Sequence, residues 1–332
     1  ATAFDYIKEL GCNYVQLQPI FDRHKEYDED GNVTYNWGYD PRQYLSLKGS
    51  FSSDPDHPYV RMKEFKELVS CLHRNHLRVT LDVVFNHVYD VAETAFDCLV
   101  PYYYFRYNEE GYMSNGSYCG NDFASEMPMA SRYLVYVIRS LMQIYGIDGF
   151  RFDLMGIIDV ATMNKIRNEA IRNNPSALIY GEGWDMPTML QGSQKTNIHN
   201  QGAMPHIGHF NDYFRDVIKG KTSESEKYER GYATGNWNNA FASLAALTGN
   251  VLDTPHFKRF FSPDQSINGF ETHDNSTVWD KMHACCNNED RATRIRRQKM
   301  MIAITMVSQG VPFVHAGFEF CDTKKDNHNS YN

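Results

Sequence analysis

Three carboxylates (Asp153, Glu182 and Asp274), two histidines and an arginine fall at the ends of short apolar runs. Asp82 lies in LRVTLDVV (77–84), with Asn86 and His87 just beyond it. Arg151 and Asp153 stand two residues apart in GFRFDLMGI (149–157), Glu182 sits in YGEGW (180–184), and His273 and Asp274 follow SINGFE (266–271). Successive side chains of an extended strand point to opposite faces. Arg151 and Asp153 therefore share one face, while Phe150, Phe152 and Leu154 share the other. Two carboxylates roughly 5 Å apart are what a retaining glycosidase uses, one attacking the anomeric carbon and one protonating the departing oxygen. A third carboxylate helps while the sugar is oxocarbenium-like. In that chemistry Arg151 keeps Asp153 ionised, as a nucleophile requires. The apolar neighbours of Glu182 raise its pKa towards that of a general acid. His87 and His273 supply hydrogen bonds to sugar hydroxyls, and Tyr39, Trp184 and Trp279 offer ring faces.

Plainer roles compete for the same residues. An Arg–Asp pair on a strand is by itself more often a structural salt bridge, and a Glu between glycines is usually a turn residue. His273-Asp274-Asn275 can cap a helix, since Asp and Asn favour that position. A metal site is the weakest alternative, because the spacing of His206 and His209 is not that of a zinc-binding helix. The coincidence of three carboxylates and two histidines at successive strand ends tips the balance to catalysis.

The elements that must position these groups alternate along the chain. Strands are expected at 13–20, 77–84, 147–154, 177–184, 207–212, 266–271 and 311–317, with helical periods at Tyr59–Asn75, Met129–Tyr145, Val160–Asn173 and Arg291–Ser308. Such alternation means parallel strands joined by crossover helices, hence a barrel or a doubly wound sheet. No GxGxxG or GxxxxGK[ST] loop follows a strand, which removes the main support for a nucleotide-binding fold. Polar residues collect at the carboxyl ends of the strands, the face on which barrels build their active sites.

The totals agree with one large α/β domain. The chain has 332 residues, 42% apolar and 22% charged, which is globular composition. A net charge of −8 argues against nucleic acid or an anionic membrane as partner. The longest apolar run, Met300–Val307, is too short to span a bilayer. Seven cysteines without CxxC spacing point to free thiols and a reducing, cytoplasmic compartment.

The motifs themselves resemble a known family. DVVFNH (82–87), GFRFDLMGI (149–157), YGEGW (180–184) and ETHDN (271–275) are similar, in order, to the four short conserved regions of the α-amylase family of glycoside hydrolases. Within that family YNWGYDP (35–41), the DLMGI continuation, GEGW, HDNxxxWDK and the tail HAGFEF…TKKDNHNSYN resemble type I pullulanases, the α-1,6 debranching group. The resemblance covers essentially the whole chain and implies a (β/α)8 TIM-type barrel. It also implies a retaining double displacement on α-1,6 linkages of pullulan and branched α-glucans. The neighbouring expectations are an α-1,4-acting neopullulanase or amylase, or an inactive glucan-binding barrel. Asp153 becomes the nucleophile, Glu182 the general acid/base and Asp274 the transition-state stabiliser. Arg151, His87 and His273 grip the sugar, with Tyr39 stacking against it. Asp82 helps to position Arg151, Asn86 lies beside it at the strand end, and Trp184 and Asn275 shape the debranching subsites. No cofactor is required; calcium is not called for. The partner is an α-glucan polysaccharide or oligosaccharide.

Two positions depart from the pattern: the family usually has Gln where Phe318 stands and often His where Ser276 stands. The chain opens inside a helical pattern, ATAFDYIKELG, and closes at HNSYN. The organisation expected is one catalytic barrel over 1–332, lacking its first strand, last helix and the flanking β-sandwich domains. An excursion at about 89–127 follows what would be the third strand.

Overall fold

A computed structural model describes residues 3–24, 27–253, 256–328 and 330–331. The ends of the opening and closing motifs (1–2, 329 and 332) lie outside the described residues. The chain divides into two units, Ala1–Met204 and Pro205–Asn332.

The first unit is built on four parallel strands, β1 (Tyr14–Leu17), β2 (Arg78–Val83), β3 (Gly149–Phe152) and β4 (Leu178–Gly181), paired in that order. Helix α1 (Ala3–Glu9) leads into β1, and α2 (Pro58–Arg74), α4 (Pro128–Tyr145) and α5 (Val160–Asn173) precede the next three strands. One face of each strand is apolar for a simple reason: Val79, Leu81, Val83, Phe150, Phe152 and Ile179 are all at most 1% exposed. Alternation then turns Thr80, Asp82, Arg151 and Tyr180 to the other face, where the register sets Asp82 beside Arg151 and Arg151 beside Tyr180. The helix boundaries have local causes. Pro58 and Pro128 occupy the first turns of α2 and α4, Gly146 ends α4 with φ +74°, and the Asp159 carboxylate accepts the Thr162 N–H at 2.9 Å to start α5.

The segment between β2 and α4 carries little regular structure beyond the short helix α3 (Ala95–Leu99). It holds itself together with rings: Phe96 packs on Tyr104, Phe105, Phe123 and Tyr133 at centroid separations of 4.8 to 6.5 Å. Its return is tied to the end of β2, for the Phe123 N–H donates to Asn86 O and the Asn121 side chain bonds both backbone groups of Val88.

The second unit has three parallel strands, β5 (Gly208–Phe210), β6 (Ser266–Asn268) and β7 (Val311–Pro312), paired in order. Helices α6 (Asp212–Ile218) and α7 (Ala240–Leu247) lie between β5 and β6, and α8 (Val278–Cys285) and α9 (Arg291–Val307) between β6 and β7. Its core gathers Phe214, Ile218, Phe270, Val278, Trp279, Met282, Met301 and Phe318. Strands therefore form at all seven expected places, each shorter than the apolar run that marks it. Two details change the sequence reading. Trp279 is not an open ring face: it is 8% exposed, packed into this core with the Arg291 and Arg294 guanidinium carbons each 5.8 Å from its ring. Phe318 is 2% exposed, so the aromatic there fills the core of the unit. Among the described residues no helix is long and apolar enough to cross a membrane. Cys71, Cys98, Cys119, Cys285, Cys286 and Cys321 are thiols.

Candidate active site

The first unit centres its polar face on Arg151, which is 1% exposed. One terminal nitrogen lies 2.9 Å from Asp82 Oδ1 and 3.1 Å from Asp153 Oδ1; the other lies 2.6 Å from Glu182 Oε1. A planar guanidinium presents its donors in a fixed fork, so this one cation holds three carboxylates in a fixed pattern. Burial alone would lower the Arg151 pKa, but Asp82 and Glu182 outweigh it and carry it well above its ordinary value. The guanidinium is thus a permanent charge.

Each carboxylate has its own support. Asp82 is fully buried, and burial pushes its pKa up to about 6 against the opposing pull of Arg151 and the Tyr39 hydroxyl, which donates to it at 2.6 Å. Asp153 lies just past the end of β3, where the Asn86 amide donates to both its carbonyl and its Oδ2, at 2.9 and 2.8 Å. Glu182 follows β4 directly; its Oε2 accepts the Leu154 N–H at 3.0 Å. Beside the apolar neighbours read from YGEGW, Glu182 meets a cation and an amide donor.

The turn after Asp153 makes that contact. Leu154 has φ +40°, a left-handed conformation that non-glycine residues adopt rarely, and it aims its N–H back at Glu182. Two residues on, a Cβ at Gly156 would stand 2.0 Å from the Trp184 carbonyl oxygen, so only glycine lets the two strand ends pack this closely. The glycine in LMGI is the one sequence trace of this turn; nothing in the sequence marks Leu154.

His87 is 3% exposed, with Nδ1 2.5 Å from Asn86 Oδ1, and burial pulls its pKa down to about 4. It is a neutral ring at ordinary pH. Tyr39 is largely enclosed, its ring centroid 5.8 Å from the Arg151 guanidinium carbon, and Trp184 is half-buried. A groove lined by Leu17, Tyr35, Trp37, Phe51 and Leu68 lies elsewhere on this unit and contains none of these groups.

In the second unit, Asp274 sits in a turn between β6 and α8, its side chain 45% exposed and its Oδ2 3.3 Å from His273 Nε2. Asn275 follows with φ +59°. The Thr277 hydroxyl caps α8 by accepting the Asp280 N–H, and Glu271 Oε2 accepts the Val278 N–H, so the caps belong to Thr277 and Glu271 rather than to the HDN motif. The Lys324 ammonium donates to the carbonyls of His273 and Asn275. Sequence reasoning missed Lys324, since a lysine in a polar tail carries no signal of its own. Ser276 Oγ lies 3.0 Å from His328 Nε2, so a histidine does meet this turn, from the tail. His206, 60% exposed and paired with Asp264, and the fully buried His209 share no partner. Among the described residues no group of three or more His, Cys, Asp or Glu side chains converges as a metal site.

Parallel strands followed by helices, with ionised groups assembled at the carboxyl ends of the strands, define the class: an α/β domain with an acid-rich strand-end site. Residues 1–100 match the alpha amylase catalytic domain family. The chain is 41% identical to the pullulanase of Bacillus subtilis (strain 168) over 326 residues, 98% of this chain and 45% of that one. It is 45% identical to a pullulanase from Anoxybacillus sp. LM18-11 solved in complex with maltotetraose, with a TM-score of 0.94 over 100% of this chain and 47% of that one. Against a pullulanase from Paenibacillus barengoltzii in complex with maltohexaose and alpha-cyclodextrin the values are 40%, 0.96, 100% and 52%. The chain spans about half the length of these relatives. Its first hundred residues are similar to the α-amylase family, and nearly the whole chain is similar to part of these pullulanases.

Proposed function

We propose that this chain carries the catalytic groups of a retaining α-glucan hydrolase, within a (β/α)8-type barrel, that cleaves α-1,6 linkages in pullulan and branched α-glucans. The observation that carries the reading is the shared guanidinium: Arg151 bonds Asp153 with one nitrogen and Glu182 with the other. Two carboxylates on one fork are near neighbours, as a double displacement requires. Asp153, held by Asn86 and Arg151, attacks the anomeric carbon and forms the glycosyl-enzyme. Glu182 gives its proton to the departing oxygen, then takes one from the water that cleaves the intermediate.

Asp274 is assigned the third role, stabilising positive charge on the sugar, from the motif in which it stands. Neutral His87, with His273, donates to sugar hydroxyls, Tyr39 and Trp184 supply ring faces, and Asn275 borders the subsites. Asp82 fixes Arg151 and Asn86 fixes Asp153. The similarity to pullulanases supports the α-1,6 linkage over the α-1,4 linkage, and the maltooligosaccharides bound by the solved relatives support an α-glucan as partner. The test is digestion of pullulan by the full chain. Maltotriose as product bears the reading out; panose replaces it with α-1,4 cleavage; no product from the parent chain, or an Asp153→Asn chain that behaves like the parent, identifies a non-hydrolytic domain.

A further inference from the structure

The turn that presents Asp274 receives little help from Asp274 itself. Its side chain is nearly half exposed, and the backbone after it passes through the left-handed region at Asn275, which asparagine tolerates but does not hold unaided. The second unit supplies the missing restraint from a distant part of the chain. The Lys324 ammonium is bonded to the carbonyl oxygens of His273 and Asn275, the residues on either side of Asp274, the latter at 2.8 Å. Lys324 is itself anchored. Its N–H donates to Asp280 Oδ2 at 2.8 Å, and the neighbouring Thr323 hydroxyl donates to Asp280 Oδ1 at 2.5 Å. Asp280 is buried in the first turn of α8, the helix into which the Asp274 turn runs. The loop is thereby closed on the tail: the turn to the Lys324 ammonium, the Lys324 N–H to Asp280, and Asp280 to the helix that ends the turn. Lys325 and Asp326, with φ +54° and +61°, give the tail the tight course that delivers Lys324 to this place.

We propose that Lys324 is a positioning residue for Asp274. Its ammonium clamps the carbonyls on both sides of that aspartate and sets the direction in which the carboxylate points. A cation suits this role. An ammonium bonded to two carbonyls makes charge-assisted hydrogen bonds, stronger than neutral ones, and offers three donors where a turn can use two. Burial lowers the Lys324 pKa from its ordinary value, while the Asp274, Glu271 and Asp280 carboxylates around it pull the other way. The inference rests on Asp274 acting as the third carboxylate of the hydrolase, and a displacement of about 1 Å of such a group costs roughly 100-fold in rate.

The experiment compares the full chain with Lys324→Met, Lys324→Arg and, as a control, Lys325→Met, whose side chain is exposed. Amide hydrogen exchange of the peptide covering His273–Ser276 is read beside kcat and KM on pullulan. Lys324→Met is expected to speed exchange in that peptide while leaving α9 unchanged. It is expected to lower kcat by about 10- to 100-fold with a much smaller change in KM, the split that marks a lost transition-state interaction. Lys324→Arg, which keeps the charge and the donors, recovers part of both effects, and Lys325→Met shows neither. Exchange at His273–Ser276 unchanged in Lys324→Met overturns the clamp. So does a kcat within twofold of the parent, or an Arg variant no better than the Met variant. Should the parent chain fail to hydrolyse pullulan, the proposed activity falls by itself, and the exchange measurement still decides for or against the clamp.

Discussion

Asp153 and Asp274 are placed by opposite means. The Asp153 side chain is 13% exposed at the end of a regular strand, touched by a buried guanidinium and the Asn86 amide. The Asp274 side chain is 45% exposed on a turn whose fixed points are backbone carbonyls held from the tail. The first arrangement orients the carboxylate through its own oxygens, the second through the chain on either side of it. A group held by its oxygens is already charged and aimed before substrate arrives. One held by its backbone keeps its oxygens open to the ligand, at the cost of depending on a loop.

That contrast predicts unequal responses to mutation. The largest belongs to Asp153→Asn, which removes the nucleophile while keeping the amide-sized side chain that Asn86 and Arg151 can still contact. Pullulan hydrolysis should fall by at least about 10⁴-fold, in line with the loss of other nucleophiles, with little change in thermal midpoint. A residual rate within tenfold of the parent would remove Asp153 from the mechanism. Arg151→Met comes next, and acts on folding as well as rate. Leaving buried Asp82 without its cation should cost roughly 3–5 kcal/mol, read as the free energy of chemical unfolding. The Lys324→Met substitution in the second unit should cost far less stability than this, because the bonds it removes end on partly solvated carbonyls. Equal losses would erase the distinction between the two arrangements.

The same contrast explains what could be read from the sequence. Strands rich in Val, Leu and Phe gave away their positions because burial on one face demands an apolar period, and the charges on the other face then stood out. Asp82, Arg151, Asp153 and Glu182 were legible for that reason, and the register brought them together. Leu154 was not, because a left-handed residue other than glycine leaves no compositional mark. Lys324 was not, because its partner atoms are carbonyls, which every residue has. Trp279 was misread since nothing in VWDK distinguishes a tryptophan on a site from one in a core; burial of neighbouring Val278 and Met282 decides it.

Trp279 therefore offers a third, smaller test. As a core residue, Trp279→Phe should lower unfolding free energy by about 1–3 kcal/mol while leaving KM for pullulan unchanged. A raised KM without a stability loss would restore it as a sugar-stacking ring.

The smallest expected effect concerns the hydroxyl of Tyr39, which donates to Asp82 at 2.6 Å. Removing it in Tyr39→Phe keeps the ring and should cost about 1 kcal/mol of stability, the net worth of one hydrogen bond. The more telling readout is pH. Burial lifts Asp82 to about 6, above its value of about 4 in an unfolded chain, while Arg151 and the Tyr39 hydroxyl pull it back down. Between those values the folded chain binds more of this proton than the unfolded chain. The Asp82 contribution to stability is therefore fully present below about pH 4 and is lost as pH rises through about 6. Activity runs the other way, since protonating Asp82 loosens its ion pair with Arg151, and with it the hold on Asp153 and Glu182. Taking away the hydroxyl removes a donor to the ionised form, so the Asp82 pKa rises further. The acid limb of kcat/KM on pullulan should move to higher pH in Tyr39→Phe, whereas His87, already neutral above about pH 4, should contribute nothing to that limb. An acid limb that stays in place would show that Asp82 keeps its charge without Tyr39, with Arg151 sufficient to hold it ionised.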